Sequence, residues 1–445
     1  MSTCYRVIYQ TFKSNSPEEI LQEEMIIESE ITAPTNCLDF TMGMELQLQA
    51  VKGIQDHVLN EKLKLHSENQ DNQCPKCPGK LVKSGKQVSP FHDVFSDHKV
   101  TMQRFKCNSC GHEPASTAKL LLGTIQSGEL QKIQSQLGTT HSFRESEELL
   151  ELFSGSKRRI NNHNRVKQIT ESVGQSLEKM TQAERDICAA PNAENIIVSV
   201  DGGHIKTTQS DSRSMEAMTA VVYRPESIVP NGKNTRNHLN SKNCAASVQD
   251  DSQEQLINGT IVAALKQGMS ETTHVTALCD GAKNCWSVID AIKPLCGSVT
   301  CILDWFHIAM KMQNISLPES LKNKFMRVKW HLWRGNVAHA LKRLSELEKE
   351  AKTGQNIDKI KKFHTYISNN SSRIINYRER QKLGKVFTSN LAESTVESLI
   401  NQRCKGQQHM RWSRDGLNPL LQLRAALNST GEWQNKWRTA ILNAN

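Results

Sequence analysis

The strongest constraint on the fold is a set of short apolar runs, each ending in an acidic residue. Ile196-Ile197-Val198-Ser199-Val200 leads into Asp201-Gly202-Gly203, and His274-Val275-Thr276-Ala277-Leu278-Cys279 into Asp280-Gly281-Ala282. A third run, Val299-Thr300-Cys301-Ile302-Leu303, leads into Asp304-Trp305-Phe306-His307. Short continuous apolar runs of this kind suit strands covered on both faces. Residues 282–294 read as a helix, so the second and third runs form a strand–helix–strand unit with parallel neighbours. Met215 to Tyr223 reads as a further strand, the antiparallel partner of the first. A single Asp-Gly is a common turn dipeptide. Acids at the ends of adjacent strands say more, because carboxylate oxygens that converge suit hard divalent cations. Two candidates for a third carboxylate, Glu393 and Glu397, lie four apart on one late helix, so spacing alone does not choose between them.

Four cysteines form two Cys-x2-Cys pairs, Cys74/Cys77 and Cys107/Cys110, with Gly79 and Gly111 following each pair. Such pairs offer four thiolates to one tetrahedral Zn²⁺ from tight turns, and four thiolates leave no open position for water. The pairs flank two stretches that read as strands of a hairpin, so residues 74–115 are expected to be a structural zinc ribbon. The other nine of the 13 cysteines are scattered over 445 residues, which is no disulfide scaffold and suits a reducing compartment.

Charge is distributed unevenly. The net of +10 combines an excess of acids in residues 1–73 (5 basic, 12 acidic) with a basic remainder. A basic body of this size favours a polyanionic partner. No run approaches 18 apolar residues and the first residues carry no apolar signal core, so a cytoplasmic protein without a membrane partner is expected. Residues 1–73 read as an acidic helical region and 116–190 as helices. Within the latter, Ser142-Phe143-Arg144-Glu145 fits a capping box ahead of Leu149, Leu150 and Phe153. A break at Ser154-Gly155-Ser156 and the basic Lys157-Arg158-Arg159 follow. A second helix then buries Val166, Ile169, Val173 and Leu177 and points Arg165 and Lys167 outward. The pair resembles a helix-turn-helix, which binds DNA through its second helix.

Five segments together resemble bacterial insertion-sequence DDE transposases of the Kra type, in the retroviral-integrase superfamily. They are SVDGGHIK at 199–206, ALCDGAKNCW at 277–286, ILDWFH at 302–307, VESLINQRCKGQQHMRW at 396–412 and LLQLRAAL at 420–427. The resemblance spans about residues 140–435 and implies an α/β fold. An RNase H-like mixed sheet with flanking helices would occupy 191–430, with a helical insertion at about 308–386 and a tail at 431–445. It puts the catalytic triad on Asp201, Asp280 and Glu397, with Mg²⁺ or Mn²⁺ as cofactor. Asp304 and His307 match a family feature of less defined role. Gln407-Gln408-His409 stand where the family often has a glycine before Met-Arg-Trp. The implied activity is metal-dependent cleavage at the element ends and strand transfer into target DNA. The implied partners are double-stranded DNA, namely terminal inverted repeats and target, and further copies of the chain in a bacterial, nucleoid-associated setting. Lys157, Arg158, Arg159, Arg165, Arg403, Lys405 and Arg411 are the phosphate contacts expected by charge, whereas Trp412 reads as a packing residue. The rival readings are a non-catalytic zinc and helix-turn-helix DNA-binding regulator and an RNase H-like nuclease without joining activity.

Overall fold

The computed structural model describes residues 3–35, 41–68, 72–115, 123–186, 190–210, 212–230, 237–248, 252–351, 353–405 and 410–445. Two compact units are distinguished, residues 1–170 with 441–443 and 445, and residues 171–440 with 444.

The first unit opens with an antiparallel hairpin, β1 (Thr3–Lys13) and β2 (Ser16–Ile31), followed by α1 (Met44–Glu68). The helical expectation for residues 1–73 therefore holds only for the later part. In β1, Tyr5, Val7, Tyr9 and Thr11 alternate with more exposed neighbours, a period of two that suits a strand face. Tyr9 stacks on His57 of α1 at 4.5 Å between ring centroids. The cysteine-bounded segment forms the expected hairpin, β3 (Leu81–His92) with β4 (Asp97–Cys107). Phe91, Val100 and Met102 bury their side chains together with Leu63 of α1.

Among the described residues, helices α2 (Gly128–Thr140), α3 (Phe143–Ser154) and α4 (His163–Glu184) follow. The capping box at Ser142 and Glu145 is present in both directions, and Gly155 ends α3 in the left-handed region at φ 67°. Val166, Ile169, Val173 and Leu177 are all buried, but Phe153 is 62% exposed and does not join the face expected for it.

Arg158 is the clearest departure in this unit. Placed between two basic neighbours, it reads as a phosphate contact, yet it is 5% exposed. Its guanidinium donates to Asp97 Oδ1 at 2.6 and 2.9 Å and to the carbonyls of Asp93, Val94 and Ser96 at 2.6–3.0 Å. A planar five-donor fork can satisfy a tight turn in this way where an ammonium cannot. His98 beside it is buried between Asp56 and Asp93, at 2.7 and 3.1 Å. Burial opposes charge on its ring, but the hydrogen bonds to the two carboxylates outweigh that and raise its pKa.

The second unit is built on a five-stranded mixed sheet. Its strands are β5 (Asn195–Lys206), β6 (Ser214–Tyr223), β9 (Asn243–Ser247), β10 (His274–Cys279) and β11 (Ser298–Leu303), in the order β11-β10-β5-β6-β9. A short hairpin, β7 (Ile228–Pro230) with β8 (Asn237–Leu239), lies between β6 and β9 in the chain. β5, β10 and β11 are mutually parallel, while β6 runs antiparallel to both β5 and β9. Alternate residues of β5 enter two separate cores. Ile196, Val198 and Val200 pack with α5 (Glu254–Lys266) and α6 (Lys283–Ile292), whereas Ile197 faces the long helical insertion.

That insertion runs through α7 (Trp305–Gln313), α8 (Glu319–Trp333), α9 (Val337–Glu350), α10 (Gly354–Asn369) and α11 (Tyr377–Lys382). Leu344 is fully buried there, Trp333 packs against Trp305, Tyr377 and Phe387, and Trp330 is 56% exposed. The chain then continues through α12 (Asn390–Val396), a wide π-turn segment at Glu397–Asn401, α13 (Gln402–Cys404), α14 (Arg414–Asn428) and α15 (Glu432–Ala444).

Replacing Arg158 with Ala leaves three turn carbonyls without their donor. The expected local cost is about 2–4 kcal/mol. Amide hydrogen exchange at Phe95 and Ser96 in the full-length chain should quicken by roughly thirtyfold or more, and unchanged protection there would show that the guanidinium is not what holds the turn.

Candidate functional site

Strand register sets the first two acids side by side. In the parallel ladder Val200 is opposite Cys279, so Asp201 and Asp280 occupy the next positions on adjacent strands. Asp201 is not at a strand end as its Gly-Gly sequel suggests. β5 continues to Lys206 because β6 pairs with it from Ile197 to Lys206, Asp201 opposite Thr219. Asp201 has the parity of Ile197 and so lies on the insertion side of the sheet, where it is 9% exposed.

From that side α7 brings His307. Its Nε2 lies 3.9 Å from Asp201 Oδ1 and 3.6 Å from Asp304 Oδ2. From the late helix α12 comes Glu393. Asp201, His307 and Glu393 each offer a donor atom within 4.8 Å of the others. Glu397, the glutamate selected by the family resemblance, is exposed where the chain widens into the π turn, and its carboxylate accepts from Asn401 Nδ2. The structure therefore brings Glu393, not Glu397, to Asp201. Sharing a helical face did not make the two equivalent, because Glu393 is partly buried beside Asp201 whereas Glu397 is exposed at the π turn.

Asp280 is next to Asp201 in register but is not part of the three-residue group. Its Oδ1 accepts the Ala282 N–H at 2.8 Å, and its carbonyl accepts the Tyr366 hydroxyl at 2.7 Å. Burial raises the pKa of Asp201 against the opposing pull of His307 and the Gly202 N–H, and the charges of Asp280 and Asp304 raise it further. Burial also raises Glu393, with Asp201 adding to the effect. Burial and like charge thus make the ionised forms of these carboxyls costly, a cost that a bound cation relieves.

Asp304 supports the group rather than joining it. It is 1% exposed and caps α7 by accepting the Phe306 N–H at 3.0 Å. It also accepts from the backbone N–H of Ser389 at 3.0 Å and from the Ser389 hydroxyl. Ser389 is the residue from which α12 starts, so one carboxylate ties the end of β11 to the helix carrying Glu393. Tyr377 adds a second tie, donating to the Leu303 carbonyl at 2.6 Å. No local sequence pattern marks either tyrosine or Ser389. The only available signal was an Asp-x-x-His pair at i, i+3 immediately after a strand.

The expected cation set divides. Lys157 and Arg159 are exposed, Lys157 lying 3.6 and 3.8 Å from Glu151 and Glu147. Arg165 is half-buried and bonds to Gln126 and Gln168. Arg403 is buried and lies over the Trp412 ring at 5.0 Å. Trp412 is a packing residue, 8% exposed, and its backbone bonds to Lys206 at the end of β5 and to Thr208 beyond it. Lys405 and Arg411 are exposed. The Lys405 ammonium lies against Gly203, where an added Cβ would stand 3.3 Å from Nζ. Gln407, Gln408 and His409 lie outside the described residues.

The four cysteines of the hairpin unit form the other group. Cys74 Sγ lies 3.7 Å from Cys110 Sγ, and Cys77 Sγ 3.5 Å from Cys107 Sγ. Four thiolates at about 2.3 Å from a tetrahedral Zn²⁺ stand about 3.8 Å apart, so the geometry and the donor chemistry both fit. N–H groups of Cys110 and Ser109 point at Cys107 Sγ and draw its pKa down to about 6. Cys77, against the pull of the Gly79 N–H, is pushed up to about 12 by the neighbouring thiols. Gly79 is required by close approach, since a Cβ there would stand 2.5 Å from Ser109 Oγ and 2.9 Å from Cys107 Sγ.

Replacing Asp304 with Ala removes the acceptor of both Ser389 donors and of the Phe306 amide, at an expected cost of about 2–4 kcal/mol. Exchange protection over residues 389–396 should fall while that of β5 persists; equal protection in variant and wild type would dissociate Asp304 from the placement of Glu393.

A search of curated proteins finds no match to the chain. The family model described as "Uncharacterised protein family (UPF0236)" matches residues 130–439, well over half of the 445-residue chain and the whole segment from Asp201 to Glu393. The chain belongs to this family, UPF0236.

Proposed function

We propose that this protein is a DNA transposase with an RNase H-like core, acting on the ends of its own element and joining them to target DNA. The observation that carries the reading is the convergence of Asp201 and Glu393, delivered by the central strand of a mixed sheet and by a late helix that follows a long insertion. Asp280 stands one strand away in register. The catalytic carboxylates in this reading are Asp201, Asp280 and Glu393, with Glu393 in place of Glu397. Their oxygens suit Mg²⁺ or Mn²⁺, which when bound polarises a phosphodiester and activates a water or a terminal hydroxyl for attack. Asp201 and Glu393 supply a desolvated negative charge that favours such a cation. Asp304 keeps Glu393 in reach by fixing the start of its helix. Lys405 and Arg411 offer positive charge beside the β5 segment that follows Asp201, where a DNA strand would need its phosphates balanced.

Losing about 4 kcal/mol of charge stabilisation corresponds to roughly a thousandfold in rate. Glu393→Gln should lower cleavage and joining of DNA that carries the gene's flanking sequences by about that factor, with DNA binding retained. Glu397→Gln should stay within a few-fold of wild type. The reverse pattern would return the third position to Glu397. Cleavage without joining would make the protein a nuclease, and binding without either reaction would make it a regulator.

We further propose that the four-cysteine hairpin binds one structural Zn²⁺ and serves DNA recognition. Elemental analysis of the purified chain should give one zinc per chain and close to none for Cys107→Ser. A Cys107→Ser chain with full zinc content would remove the ribbon from the scheme.

A further inference from the structure

His307 is unusual among the groups around Asp201. It is only 8% exposed, and its Nε2 faces carboxylate oxygens of Asp201 and Asp304 at 3.9 and 3.6 Å. Both separations exceed the length of a hydrogen bond. Asp304 already accepts from Phe306 and twice from Ser389, so it has other partners. The imidazole nitrogen thus faces two carboxylates across gaps that a shared cation would bridge more closely than a direct contact does. With bonds of about 2.1–2.2 Å, donors on one metal ion stand about 3.0 Å apart when adjacent and about 4.3 Å apart when opposite. The 3.9 Å between His307 Nε2 and Asp201 Oδ1 falls between those limits. The ring is also held in orientation, packed edge-on against Phe306 at 5.4 Å.

We propose that Asp201, Glu393 and His307 form a mixed nitrogen–oxygen site for a first-row divalent ion, with His307 Nε2 bonded directly to the metal. The inference rests on the reading of Asp201 and Glu393 as metal-holding carboxylates, and it names the class of ion. Mg²⁺ favours an all-oxygen shell and gains little from imidazole, whereas first-row transition ions accept it readily. The site therefore favours Mn²⁺ over Mg²⁺, and His307 is the residue that sets the preference.

Mn²⁺ is a direct probe, because it is paramagnetic and Zn²⁺ at the four cysteines is silent in the same measurement. Mn²⁺ added to the full-length wild-type chain should show nitrogen coupling in pulsed electron paramagnetic resonance. In His307→Gln the coupling should vanish and Mn²⁺ affinity should fall roughly 10–100-fold, with Mg²⁺ affinity nearly unchanged. Absence of nitrogen coupling in the wild-type chain, which needs no variant to interpret, overturns the proposal. So does coupling that survives in His307→Gln. DNA cleavage assayed in parallel separates the two readings. Nitrogen-coupled Mn²⁺ without any action on DNA keeps the metal site and removes the transposase; Mg²⁺-driven cutting and joining without nitrogen coupling does the opposite.

Discussion

A single buried carboxylate, that of Asp304, ties the parts on which the rest of the site depends. It ends one strand, starts the first insertion helix, and receives both polar groups of Ser389 at the start of the helix that carries Glu393. Some 85 residues of insertion separate the two ends of this tie. Loop closure over such a length costs about 4 kcal/mol in chain entropy, which the packed helices between the two ends offset through their own core. The insertion is thus more than decoration on the sheet. Tyr366 and Tyr377 reach from it to the carbonyls of Asp280 and Leu303, at the ends of two parallel strands. The positions of the acids are set jointly by sheet register and by hydrogen bonds from the helical layer.

Much of the sheet was legible because its physics is local. Runs such as Ile196–Val200 and His274–Cys279 are apolar on both faces, and only buried strands tolerate that pattern. The strand–helix–strand spacing then made β10 and β11 parallel neighbours. The cysteine hairpin was legible for a similar reason, since two matched thiolate pairs need two matched turns. Legibility failed where long-range pairing decided the outcome. Gly202-Gly203 looks like the end of a strand, but pairing with β6 carries the strand through it. The glutamates of β2 suggested helix, whereas the alternation in β1 calls for a partner strand.

The site itself was legible in part. Asp201 and Asp280 were named as candidates and stand in adjacent register, but only tertiary packing separates Glu393, grouped with Asp201, from the exposed Glu397. Four-residue spacing carries no information on that point. Asp304 and His307 were visible only as a pair of polar residues after a strand. Their separate relations, one to Ser389 and the other to Asp201, arise from tertiary neighbours more distant in sequence than any local pattern reaches.

The burial of Arg158 has a consequence for how basic proteins of this kind meet a polyanion. Seven cations looked available for phosphates, but Arg158 holds a turn and Arg403 covers an indole. Each phosphate contact displaces roughly 0.9 of a condensed counterion from duplex DNA. With two of the seven committed inside the protein, that set could liberate about four or five ions, not six, in the proposed capture of DNA. Formal charge in the sequence is thus an upper bound on the thermodynamic drive that counterion release provides, and the fold determines how much of it reaches the solvent.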